Sequence, residues 1–145
     1  MTWKQAIRLI ASAIVLCSIN QGCAAGFVTR LEDEPVEGYV LTLLDDIHTG
    51  AGSVILFVEV DGAPAPEDTT VTVHIRALGS ERFDAARAEP QGEVFYLERK
   101  RAMYMAFPAV SEKAEVYELQ VFLSGKGGQA DIVLEVPASP PNEGE

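Results

Sequence analysis

From Tyr39 onward the chain alternates apolar and polar residues in short runs, each closed by glycine, proline or aspartate. Residues 69–78 show it most plainly. Val71, Val73, Ile75 and Ala77 fall on one side, and Thr70, Thr72, His74 and Arg76 on the other. A repeat of two is the side-chain period of a strand with one buried face. Residues 115–123 repeat it, with Tyr117, Leu119, Val121 and Leu123 inward and Glu118 and Gln120 outward. A tight hairpin at 125–128 leads to a last strand carrying Ala130, Ile132, Leu134 and Val136 inward. Residues 39–44 make the first strand, and 53–60 the second, whose unbroken apolar centre at 54–58 reads as buried. Residues 93–97 and 101–107 form a hairpin pair in which Met103, Met105 and Phe107 are expected to look inward. Residues 82–88 fit either a strand or one helical turn.

The breaks carry as much information as the runs. Asp61-Gly62, Gly79-Ser80 and Pro90-Gln91-Gly92 are turn sequences, and Pro64 and Pro66 keep the intervening loop out of a ladder. Seven or eight short strands at such spacing, without a convincing helix, predict an all-β, antiparallel sandwich of the immunoglobulin-like kind at 38–136. The cysteine pair and core tryptophan of antibody domains are missing, so the architecture is expected without the antibody signature. Residues 26–37, with Glu32-Asp33-Glu34-Pro35, read as a tether or loosely held first segment. Residues 137–145 read as a disordered proline- and glutamate-rich tail. The sequence shows neither an internal repeat nor a second domain.

The first 25 residues follow a different rule. Lys4 and Arg8 precede an apolar run at 9–17 and then small residues, Gly22-Cys23-Ala24-Ala25. That order is the signature of a secretory signal peptide. Three fates are open: cleavage after Ala24 or Ala25, lipidation at Cys23 as in bacterial lipoproteins, or retention as an anchor. The apolar stretch at 9–19 falls short of the ~20 residues of a spanning helix. Both cysteines, Cys17 and Cys23, lie in this address. The folded part therefore has no disulfide framework and no thiol chemistry. The expected location is extracytoplasmic, in the bacterial periplasm, either soluble or lipid-anchored, with membrane association through Cys23 alone.

The chain has 11 basic and 22 acidic residues and a net charge of −11. Removing Lys4 and Arg8 leaves 9 against 22, a net −13. Such a charge repels phosphate backbones and argues against nucleic-acid binding. The one basic cluster, Arg99-Lys100-Arg101, reads as a solvated hairpin tip. Glu115, Glu118, Asp131 and Glu135 read as solvent-facing strand positions. Asp45-Asp46 and Glu67-Asp68 lack the spacing of a calcium loop.

Catalytic patterns are missing. No Gly-x-Ser-x-Gly elbow surrounds Ser53, Ser80, Ser111 or Ser124, and no His-Glu-x-x-His, P-loop or dinucleotide fingerprint occurs. No catalytic or cofactor-binding residue is assigned; a small hydrolase would need acid, base and nucleophile to converge in a cleft. The sharpest chemical feature is Met103-Tyr104-Met105. Two thioethers one residue apart on a strand share a face, and soft sulfur suits Cu(I). His48, in a loop, is the freer candidate for a third ligand, since His74 lies opposite Val73 and Ile75. The alternative is that the methionines fill gaps in the core.

Laid out in order, Gly38-Tyr39-Val40-Leu41-Thr42-Leu43, Leu56-Phe57-Val58-Glu59-Val60-Asp61-Gly62-Ala63-Pro64, Val71-Thr72-Val73, Tyr117-Glu118-Leu119-Gln120-Val121 and Gly128-Gln129-Ala130 resemble the YtkA-like/FixH-type group of small extracytoplasmic sandwich domains. The resemblance spans residues 38–136. It implies the sandwich fold and, for members similar to accessory factors of copper-oxidase assembly, copper handling. The Gly-x-Trp usual before the penultimate strand is replaced here by Val116-Tyr117. The expected function is non-enzymatic binding of an extracytoplasmic or membrane protein, with copper handling through Met103, Met105 and His48 as the alternative.

Overall fold

The computed structural model describes residues 26–48 and 51–138. The signal segment with Cys23, and the tail beyond Ala138, lie outside the described residues. Among the described residues ten strands build two antiparallel sheets. The first contains β1 (Val28–Val36), β2 (Tyr39–His48), β3 (Ala51–Val60), β8 (Arg99–Ala106) and β7 (Glu89–Tyr96) in that order, with the two-residue β4 (Ala63–Pro64) on β3. The second contains β10 (Gly128–Pro137), β9 (Val116–Gly125), β5 (Thr70–Ala77) and β6 (Asp84–Arg87). The orders β2-β3-β8-β7 and β10-β9-β5 are those of the two immunoglobulin sheets. β6 is added beyond β5, and β1 beyond β2.

β1 and β4 go beyond the seven or eight expected strands, and β6 supplies the eighth. β4 extends the turn at Asp61-Gly62, where both residues take positive φ (55 and 78) as a mirror-image hairpin turn requires. Residues 84–87, open to either reading in sequence, are a strand because Thr72–Ile75 supply its ladder. The largest correction is β1, expected as part of a tether. It pairs with β2 from Val28↔Asp45 to Val36↔Tyr39, with register shifts at Thr29/Leu31 and Leu31/Glu34. Its polar sequence hides the strand because one neighbour pairs with it and most of its side chains stay exposed.

The core lies between the sheets. Leu41, Leu43 and Ile47 from β2 and Val54, Leu56 and Val58 from β3 meet Val71, Val73 and Ile75 from β5 and Leu119 and Val121 from β9. Each fully buried side chain of this kind contributes about 1.5–3 kcal/mol. The link from β8 to β9 is held by Tyr117, whose Oη donates to the Glu112 carbonyl (2.8 Å) and accepts from the Ala114 N–H (3.1 Å). This is the tyrosine corner of immunoglobulin-like sandwiches, one residue into the penultimate strand. Val110, on the same link, is buried at φ 54, an outlying conformation for a β-branched residue that its core burial offsets.

Candidate interaction surface

On β8 the inward side chains are Ala102, Tyr104 and Ala106, all buried. Arg99, Arg101, Met103 and Met105 therefore point out of the sandwich, the methionines half-buried. This overturns the expectation that Met103, Met105 and Phe107 look inward. Both alternate sets on β8 are apolar enough to form a core, so apolarity alone leaves the phase open. The arginines decide it, because their carboxylate partners lie on the outer face.

Register then assembles a patch. Met103 lies opposite Phe57 and Met105 opposite Ile55, which in turn faces Leu44 on β2. On the other side Met103 faces Gly92, which has no side chain to cover it. Phe107 continues the outward row past the strand and is 61% exposed. Leu44, Ile55, Met103, Met105 and Phe107 thus put an apolar row on the outside of a sheet. His48 shares the parity of this face, beyond buried Ile47, at the far end of β2 opposite Ala51. From the position of Met105 that is four residues along β3, ~13 Å, and two strand spacings across, ~10 Å. Register therefore brings the methionines together and leaves His48 apart from them. Among the described residues no three His, Cys, Asp or Glu side chains gather into a metal-holding group.

Beside the patch sits an ionic clasp. Arg99 grips Glu59 with Nε and Nη2 (2.7 and 2.8 Å), and its Nη2 also reaches Asp33 Oδ1 (2.7 Å). Arg101 donates from Nη1 to Asp33 Oδ1 (3.0 Å) and Thr42 Oγ1 (3.1 Å), and from Nη2 to the Leu97 carbonyl (3.3 Å). Its side chain is 1% exposed, and its Nε has no hydrogen-bond partner among the described residues. The basic cluster is thus not the solvated tip expected from sequence, although Lys100 is exposed. Tyr96 stacks on Phe57 (4.2 Å, 9°) and lies under the Arg101 guanidinium (5.5 Å). Arg99 holds the Glu59 carboxyl below its usual range, and burial pushes the Tyr96 hydroxyl up to about 12. Two cations and two anions cancel, so the clasp is a rigid, internally neutral frame.

Asp33 joins this frame from the shifted register of β1, at φ 52. Aspartate tolerates that left-handed conformation better than most residues, and the bulge turns its carboxylate towards both arginines. Neither Asp33 nor Glu59 was singled out from sequence; the signal available was Glu59 interrupting the apolar run of β3.

The outer face of the second sheet carries His74, as its alternation indicated. Its ring stacks on Phe83 (4.7 Å, 10°) and meets Phe122 edge-on (4.8 Å, 64°). Arg76 pairs with Glu118 alongside. Ser111 donates to Asp84 through both Oγ (2.6 Å) and N (2.7 Å), a contact that ties the β8–β9 link to β6. No family model, curated protein or solved structure matches this chain.

Proposed function

We propose that this chain is a non-enzymatic extracytoplasmic binding domain that works by protein–protein contact through the outer face of its first sheet. The observation that carries this reading is the apolar row Leu44, Ile55, Met103, Met105 and Phe107, the first four half-buried and Phe107 exposed, on a face where a sandwich ordinarily presents polar side chains. Methionine suits such a surface because its flexible, polarisable side chain adapts to varied partners. Apolar patches of this kind on soluble domains mark contact sites. The neutral clasp beside it holds β1, β3 and β8 in fixed relation, so the patch is pre-organised. The signal segment supports delivery outside the cytoplasm, with Cys23 as the point of lipid attachment if the segment is processed that way.

A photo-crosslinking residue at position 105, and another at Thr72 on the opposite sheet as control, tests the surface in cells. The expected result is one discrete protein adduct from position 105, lost when Met103→Glu is added, and none from position 72. Equal adducts from both faces would remove the reading.

Copper handling is the second reading, and one finding favours it: Met103 and Met105 face outward side by side, within reach of an ion from solvent. Cu(I) titration of the full chain separates the two. Binding tighter than micromolar that disappears in Met103→Leu/Met105→Leu supports the metal, and binding unchanged by that pair ends it.

A further inference from the structure

The sandwich has four sheet edges, β1 and β7 on the first sheet and β10 and β6 on the second. A sheet edge presents unpaired backbone groups, and folded chains blunt it with bulges, prolines, charges or shortness. Three of these edges are blunted. β1 has two register shifts and the run Glu32-Asp33-Glu34-Pro35. β7 carries Pro90 and a shift between Pro90 and Gly92. β6 is four residues long. β10 is neither short nor bulged: its ten residues pair with β9 without a break from Gly128↔Gly125 to Pro137↔Val116, its one proline comes only at the end, and Asp131 and Glu135 are the charges along it.

Both ends of β10 are pinned to the first sheet. At one end Tyr39 Oη donates to the Gly128 carbonyl (2.6 Å). There the backbones approach so closely that a Cβ on Gly38 would lie 2.3 Å from the Gly127 carbonyl oxygen. At the other end Arg30 Nη2 donates to the Pro137 carbonyl (3.3 Å). Between the pins Ile132 and Leu134 are half-buried, and Val133 is 48% exposed on the outer side. The two-residue turn Lys126-Gly127 makes Gly125–Gly128 the hydrogen-bonded pair that closes the hairpin. Alternation along the ladder then directs the N–H and C=O of Gln129, Asp131, Val133 and Glu135 away from β9.

We infer that β10 accepts an extended segment of another protein as an added strand, one with apolar residues at alternate positions and basic residues opposite Asp131 and Glu135. Charge selects that partner. Glu135 lies directly opposite Glu118, whose cation is Arg76, and no cation among the described residues pairs with Glu135. Asp131 accepts a neutral amide from Gln120 (3.1 Å). Like charges opposite each other destabilise a sheet, and a cation on an added strand relieves them. A second copy of the chain is a poor occupant: each carries −11, and antiparallel self-pairing centred on Val133 sets Asp131 against Glu135. The inference rests on the chain's being a binding domain but uses a different surface from the methionine patch.

The test is fluorescence anisotropy of a labelled nine-residue peptide with the full chain. The peptide has valine at alternate positions and two lysines four residues apart; a control has glutamates in their place. Saturable binding by the lysine peptide is expected, with the control about tenfold weaker or worse. Val133→Pro should abolish binding while circular dichroism and the urea midpoint stay unchanged, because the lost N–H points away from β9. Met105→Glu should leave peptide binding intact. Failure of the lysine peptide to bind, or binding indifferent to Val133→Pro, overturns the inference. So does a dimer in sedimentation that Val133→Pro converts to monomer. Loss of the position-105 adduct with peptide binding retained instead counts against the methionine patch alone.

Discussion

Replacing Asp33 by asparagine removes one charge from the clasp and little else. Asparagine tolerates φ 52 as aspartate does, and its amide oxygen can still accept from Arg99, Arg101 and Thr42. What remains is Arg101, 1% exposed, without its nearest anion. Leaving a buried charge uncompensated costs about 3–5 kcal/mol, and the 39% exposure of Asp33 places this pair below that range, at about 2 kcal/mol. With m of about 1–2 kcal/mol/M in urea, the midpoint should fall by about 1–2 M. Arg101→Met is expected to behave differently. It removes the buried cation together with its unpartnered Nε, while Asp33 keeps Arg99, so stability should change by no more than about 1 kcal/mol. In the Arg101→Met background, Asp33→Asn should then cost under about 0.5 kcal/mol. Urea unfolding followed by far-ultraviolet circular dichroism reads all four corners of this cycle. An equal loss from Asp33→Asn in both backgrounds would refute the reasoning, since the cost would then lie in β1 itself rather than in the stranded guanidinium. Hydrogen exchange at 31–34 should accelerate in Asp33→Asn, because the clasp ties this bulged segment to β8.

Two further outcomes follow from the same geometry. Tyr117→Phe keeps the buried ring but strands the Glu112 carbonyl and Ala114 N–H, and should cost about 1–3 kcal/mol at two hydrogen bonds, read as a lower urea midpoint. For Asp45, burial holds the carboxyl above its ordinary value of 3.8 despite its ion pair with Arg30. The folded chain therefore binds that proton more readily than the unfolded one. The cost of the buried charge is complete above the folded-state pKa and fades as pH falls through it. Compared with Asp45→Asn, the natural chain should gain stability on acidification from neutral pH towards 4, measured by urea midpoints across that interval. A difference that moves the other way would show that Arg30 outweighs desolvation.

The sequence alone determined the strands whose two faces differ. β5, β9 and β10 declare themselves because one face meets the core and the other meets water, and a period of two records that contrast residue by residue. Turns at Asp61-Gly62 and 125–128 were legible for the equally local reason that positive φ favours particular residues. Tertiary structure decided the elements without such a contrast. β8 is apolar on both alternations, and its phase depends on Glu59 and Asp33, 40 and 66 residues away from Arg99. The arginine parity that carries Met103 and Met105 outward was present in the sequence, but it gains meaning only once their anions are in place. β1 has no apolar face to read; its strand comes from pairing with β2 and from charges that find partners across the sheet. The outward facing of the methionine row and the open edge of β10 are likewise properties of neighbours, since a side chain or a backbone group is free only where no other strand has come to cover it.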